Sequence, residues 1–107
     1  MTQVVLINRF DVPAGRDEEF LSLWVEVNRH MRSQPGYLDH RLHRSRGDSE
    51  SGRYVNVVTW ESAEALDQAH RTERFRALVS RPGWKDFPSA PATYEIVADA
   101  ETEPAPA

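Results

Sequence analysis

The spacing of apolar residues along this chain switches from every second position to a 3.6-residue period and back, twice, and few folds satisfy that alternation. Val4, Val5, Leu6, Ile7 and Phe10 mark a first strand over about residues 3–11, closed by the turn cluster Asp11-Val12-Pro13-Ala14-Gly15. Asp17, Glu18 and Glu19 then suit the positive end of a helix. Phe20, Leu23, Trp24, Val27 and Met31 form its apolar stripe, and Arg29 and Arg32 suit its negative end. Ser33-Gln34-Pro35-Gly36 stops it. A second strand over about 37–46 alternates Leu38, His40 and Leu42 against Asp39, Arg41 and His43, so the leucine face is expected to pack. A polar connection over 47–52 leads to a third strand over 53–61. Ser62 is a suitable N-cap for a helix carrying Ala65, Leu66 and Ala69, followed by a helical turn around Phe75, Leu78 and Val79. Beyond Arg81-Pro82-Gly83, a proline-containing loop with Trp84 and Phe87 precedes a last strand expected at Thr93–Ala98.

The order β-α-β-β-α-β in 107 residues predicts one domain over 1–99, with an acidic, proline-rich tail over 100–107. The fold class it predicts is α+β: a ferredoxin-like sandwich with a four-stranded antiparallel sheet and both helices on one face. Strands one and three are then central neighbours. Alternation gives the helix side Leu6, Asn8 and Phe10 from one and Tyr54, Asn56, Val58 and Trp60 from the other. The opposite face receives Val5, Ile7, Val55, Val57 and Val97, with Tyr37 and Arg41 beside them, and no segment is left to cover it. An uncovered apolar sheet face predicts a homodimer joined through that face.

A net charge of -4 argues against a nucleic-acid partner. No apolar run approaches the length that spans a membrane, and a chain without cysteine suits the cytoplasm. His40 and His43, three apart on a strand, face opposite ways and do not share a metal ion, so no metal is expected.

The placement of Asn8 and Asn56 inside apolar strands carries most of the functional information. A buried amide without partners costs about 1–3 kcal/mol, so each needs something to bind: the other, water or a ligand. Trp24 and Trp60 are either core filler or flat walls for a ring system. His40, with Leu38 and Leu42 on the packed side, is the candidate base.

Val12-Pro13-Ala14-Gly15 with Glu18-Glu19-Phe20, then Met31–Tyr37, His40–Arg44 and Tyr54–Ser62, resembles the antibiotic biosynthesis monooxygenase domain over about residues 4–98. The resemblance implies a dimeric α+β barrel with a pocket between each sheet and its own helices. It further implies cofactor-independent and metal-independent oxidation of a phenolic or anthrone-type, polyketide-derived aromatic by O2 to a quinone. Asn56 and Trp60 match an Asn-x-x-x-Trp pair of quinone-forming members; Leu66 stands where a tyrosine is expected, and Arg81 lies near an expected arginine. Asn8-Arg9 matches the first-strand asparagine of haem-degrading members, whose haem-binding histidine falls near Val79, with His70 as the nearest substitute. The candidate set is therefore Asn56, Trp60 and His40 as catalytic residues, with Asn8, Phe10, Trp24, Leu66, His70 and Arg81 around the substrate. The alternatives on the same fold are a non-oxidative cyclase, isomerase or carrier of a reactive intermediate, and, behind these, a haem-degrading or haem-binding protein.

Overall fold

A computed structural model of the chain describes residues 2–47 and 52–103. Its elements run β1 (Val4–Val12), α1 (Asp17–Met31), β2 (Tyr37–Arg44), β3 (Gly52–Trp60), α2 (Ala63–Ala69), α3 (Glu73–Val79), a 3₁₀ turn (Pro82–Asp86) and β4 (Ser89–Glu95). The strands form one antiparallel sheet in the order β2-β3-β1-β4, the α+β arrangement expected. β1 and β3 are central, and Asn8 lies directly opposite Asn56 in their register.

Along β3 every second residue, Tyr54, Asn56, Val58 and Trp60, is buried, while Val55, Val57 and Thr59 between them are half-buried. Only the first set meets the helices. α1 buries Phe20, Val27, Asn28 and Met31 of its stripe. Full burial of Phe20 contributes about 1.5–3 kcal/mol relative to exposure. α2 begins where Ser62 Oγ accepts the Ala65 N–H at 3.1 Å, and α3 where Thr72 Oγ1 accepts the Phe75 N–H at 3.1 Å. Between α1 and β2, Gly36 takes φ +84°, and a Cβ there would lie 2.4 Å from Ala65 Cβ. Only glycine fits this crossing of α2 over the chain.

Three expectations are corrected. β4 starts at Ser89, not Thr93, and stops at Glu95, so Val97 lies beyond the sheet, 69% exposed. Pro91 does not interrupt the strand because β4 is an edge: it bonds β1 on one side and, among the described residues, has no strand on the other. The second correction is in β2. The pairing jumps from Tyr37↔Trp60 to Asp39↔Thr59, making Leu38 an extra, bulged residue that is 46% exposed instead of packed. The third follows from it: the bulge turns Tyr37 to the helix side, against Trp60 at 5.7 Å between ring centroids, rather than to the opposite face with Arg41. Residues 100–103 of the expected tail are exposed, while residues 104–107 and most of the polar connection before β3 lie outside the described residues.

Candidate active site

The buried core divides into two clusters. Phe10, Val12, Phe20, Tyr54 and Phe87 close one end of the sandwich; Val27, Met31, Val58, Trp60, Leu66, Ala69 and Leu78 close the other. Between them lies a cavity of about 390 Å³, a size suited to a small organic ligand. Phe10 and Phe87 face it from the first cluster, Val27, Met31, Val58, Trp60 and Leu66 from the second. Exposed Val79, Ser89 and Pro91 also belong to its wall and put the mouth between α3 and β4.

The polar groups on this wall are unusual in having so few partners. Asn8 Oδ1, Asn56 Oδ1 and the indole nitrogens of Trp24, Trp60 and Trp84 are sealed from solvent without a hydrogen bond among the described residues. All five belong to cavity-lining residues. The side chains of Asn8 and Asn56, although opposite each other, do not hydrogen-bond to one another. Asn56 instead donates through Nδ2 to Asn28 Oδ1 at a long 3.5 Å, and Asn28 Nδ2 is anchored on the Trp24 carbonyl at 3.0 Å. Polar groups left unpaired in a native interior call for an explanation, and a bound ligand or ordered water supplies one. The wall carries no acidic, lysine or arginine side chain, and His70 is its one titratable residue.

Of the residues singled out from the sequence, Asn8, Phe10, Trp24, Asn56, Trp60, Leu66 and His70 converge on the cavity. His40 and Arg81 do not. His40 sits behind Trp24, ring centroids 5.3 Å apart, and its Nδ1 is hydrogen-bonded to the Tyr37 hydroxyl. Burial holds the His40 imidazole below its ordinary titration range and raises the Tyr37 phenol. Arg81 begins the 3₁₀ turn on the outside and pairs with Glu26 of α1, an exposed ion pair of small energetic value. Asn28 and Trp84 were not singled out. Asn28 is nevertheless legible: it follows Trp24 by four and precedes Met31 by three, a polar side chain on an apolar helical stripe. No cluster of three potential metal-ligating side chains occurs among the described residues, and no helix there is long and apolar enough to cross a membrane.

Comparison with known proteins places this arrangement. The family model described as antibiotic biosynthesis monooxygenase matches residues 3–81. The deoxynogalonate monooxygenase of Streptomyces nogalater is 32% identical over 82 residues, which cover 77% of this chain but only 59% of that protein. Among solved structures, SnoaB of Streptomyces nogalater, described as a cofactor-independent oxygenase, superposes with a TM-score of 0.80 at 24% identity, covering 94% of this chain and 98% of SnoaB. A candidate monooxygenase from Shewanella loihica PV-4 superposes with a TM-score of 0.75 at 32% identity, covering 92% of this chain and 97% of the other. With the family model matching most of its length, and with a sheet, helices and cavity of this kind, the chain belongs to the antibiotic biosynthesis monooxygenase family.

Proposed function

We propose that the protein is a cofactor-independent monooxygenase that oxidises a neutral, fused-ring phenol or anthrone with O2 to a quinone. The observation that carries it is the set of five unpaired polar atoms on an otherwise apolar wall: three indole N–H donors and two amide oxygens. An aromatic substrate brings the complement. Its ring oxygens accept from the indoles, and its hydroxyls donate to Asn8 and Asn56. The uncharged wall favours a neutral ligand and gives a carboxylate or phosphate no counter-charge. A polyketide-derived ring is the finer part of the proposal, in keeping with the antibiotic biosynthesis family.

The chemistry needs no electron source beyond the substrate. Removal of one proton from the reacting CH2 or its enol leaves an electron-rich anion. That anion passes one electron to O2, and the resulting radical and superoxide combine through a new C–O bond. The peroxide takes up a proton, loses the second C–H proton and breaks its O–O bond, giving a carbonyl and water. One CH2 and one O2 thus become one C=O and one H2O. The protein contributes a dry cavity and donors fixed where negative charge develops, for which removal of one such donor costs about 10²–10³ in rate. Two copies joined through the outer sheet face, where Val5, Ile7, Val55 and Val57 lie half-buried, complete the proposed molecule, in the cytoplasm.

Oxygen uptake with 1,8-dihydroxyanthrone tests the proposal. One O2 consumed per quinone formed is expected of the wild type, with a loss of about a hundredfold in Trp60→Ala, which removes a donor, and a smaller loss in Asn56→Ala, which removes an acceptor for a substrate hydroxyl. Uptake that these substitutions leave unchanged sinks the site. A product formed without O2 would make the protein a cyclase or isomerase instead.

A further inference from the structure

We propose that His70, not His40, is the proton acceptor of the cavity: its Nε2 removes the proton that turns the bound aromatic into its reactive anion. This rests on the cavity being the aromatic-binding site proposed above. His70 is the one titratable side chain on the wall. Its tautomer is fixed by its own helix. Nδ1 lies 2.7 Å from the Leu66 carbonyl oxygen, which only accepts, so Nδ1 carries the hydrogen and the lone pair of the neutral ring is at Nε2. Nε2 has no partner among the described residues and is not among the atoms sealed from solvent, which leaves it to whatever enters the cavity.

The ring is also held in place. It meets Trp60 edge-on at 6.2 Å and Phe75 at 4.8 Å between centroids, on a wall that both of those rings share. His70 is the C-cap of α2, and its ring is bonded back onto that helix's last turn, which fixes the direction of Nε2. Among the described residues, no other ionisable group lines the cavity from the neighbouring elements. Tyr37 and His40 of β2 bond each other behind Trp24; His30 of α1 bonds Thr72 Oγ1 at 2.9 Å; Glu64 and Asp67 of α2, Arg71, and Glu73, Arg74 and Arg76 of α3 are exposed. The proton balance closes on the same residue. His70 takes one proton from the substrate O–H or C–H at the start and returns it to the peroxide oxygen, so that the imidazole is neutral again when water leaves.

The test separates this role from the oxidation. 7-Hydroxycoumarin, a fused-ring phenol whose absorption moves to longer wavelength on ionisation, is titrated with protein under nitrogen at a pH below its own pKa. Quenching of tryptophan fluorescence reports binding. The wild type is expected to hold a phenolate fraction at least roughly tenfold above that in His70→Gln at equal occupancy. His40→Gln is expected to keep the wild-type band. Equal ionisation in wild type and His70→Gln, or loss of the band only in His40→Gln, overturns the assignment. Thermal unfolding of each variant identifies a folding defect, and in that case His70→Asn, which is smaller and equally without a base, is read in its place.

The aerobic arm uses 1,8-dihydroxyanthrone. There kcat of His70→Gln is expected to fall about 10²–10⁴-fold with KM little changed, and added imidazole to restore part of it in His70→Ala. A His70-dependent phenolate band without any O2 uptake by the wild type removes the oxygenase reading and leaves His70 as the base. Failure of the coumarin to bind at all removes both.

Discussion

The Asn28–Asn56 contact makes a prediction whose sign depends on the two residues being treated as a pair. Asn56 is 6% exposed and Asn28 7%; the 3.5 Å bond between them is the one recorded partner of the Asn56 side chain, whose Oδ1 is already unpaired. Asn28→Leu keeps the volume but leaves both ends of the Asn56 amide unpaired, a penalty of about 1–3 kcal/mol, of which better burial of leucine returns part. The expected net loss is about 1–2 kcal/mol. An unfolding entropy of about 2.1 cal/mol/K per residue amounts to about 0.22 kcal/mol/K for 107 residues, so Tm falls by about 4–9 °C. Replacing both residues by leucine removes the orphaned amide as well, and a pair exchanged for apolar groups of the same shape is close to neutral. The double variant is therefore expected within about 2 °C of the wild type, so that the coupling between the two sites is close to the sum of the two single losses. Circular dichroism during heating, with protein concentration held fixed because association alters Tm, measures all four proteins. Additive losses, or a single variant as stable as the wild type, would refute the idea that the amide is uncomfortable without its partner. The double variant should meanwhile be folded and less active than the wild type, since the Asn56 amide oxygen proposed to meet the substrate has gone.

Gly36→Ala is expected to lower stability by about 2–4 kcal/mol in urea titration, combining a left-handed backbone penalty with overpacking against Ala65; an undiminished midpoint would show that the chain crossing there relaxes freely. His40 supplies a pH dependence. Because burial lowers its pKa from 6.5, the stability due to its neutral form is present above pH 6.5 and is lost as pH falls through the lower folded value. The urea midpoint should drop on going below pH 6.5, and less so in His40→Gln; an equal drop in both assigns the effect to another group. Val57→Asp places a charge amid Val5, Ile7 and Val55 on the outer face and should turn a sedimenting dimer into a monomer. A dimer that survives this change is joined elsewhere.

Element order was legible because side-chain direction is a local property: the alternation of Tyr54, Asn56, Val58 and Trp60 and the stripe from Phe20 to Met31 each declare a face without reference to the rest of the chain. The asparagines were legible for the same reason, as polar groups at positions the period marks for the interior. Asn28 obeys that rule too. Leu38 and Pro91 mislead because their roles depend on neighbours. A bulge is a mismatch between two strands, and an edge is defined by the strand that is not there, neither of which a single segment encodes.

The amino-acid order by itself thus determined the succession of strands and helices, the face each presents and the family to which the chain belongs. Tertiary structure alone decided which histidine meets the cavity, that the core parts into two clusters around it, and that Asn56 reaches for Asn28 and not for Asn8. The physical reason is range. Periodicity records where a side chain points from its own backbone, whereas a cavity is the space several distant segments fail to fill. Its walls, its unpaired atoms and its one titratable ring are fixed only when those segments come together.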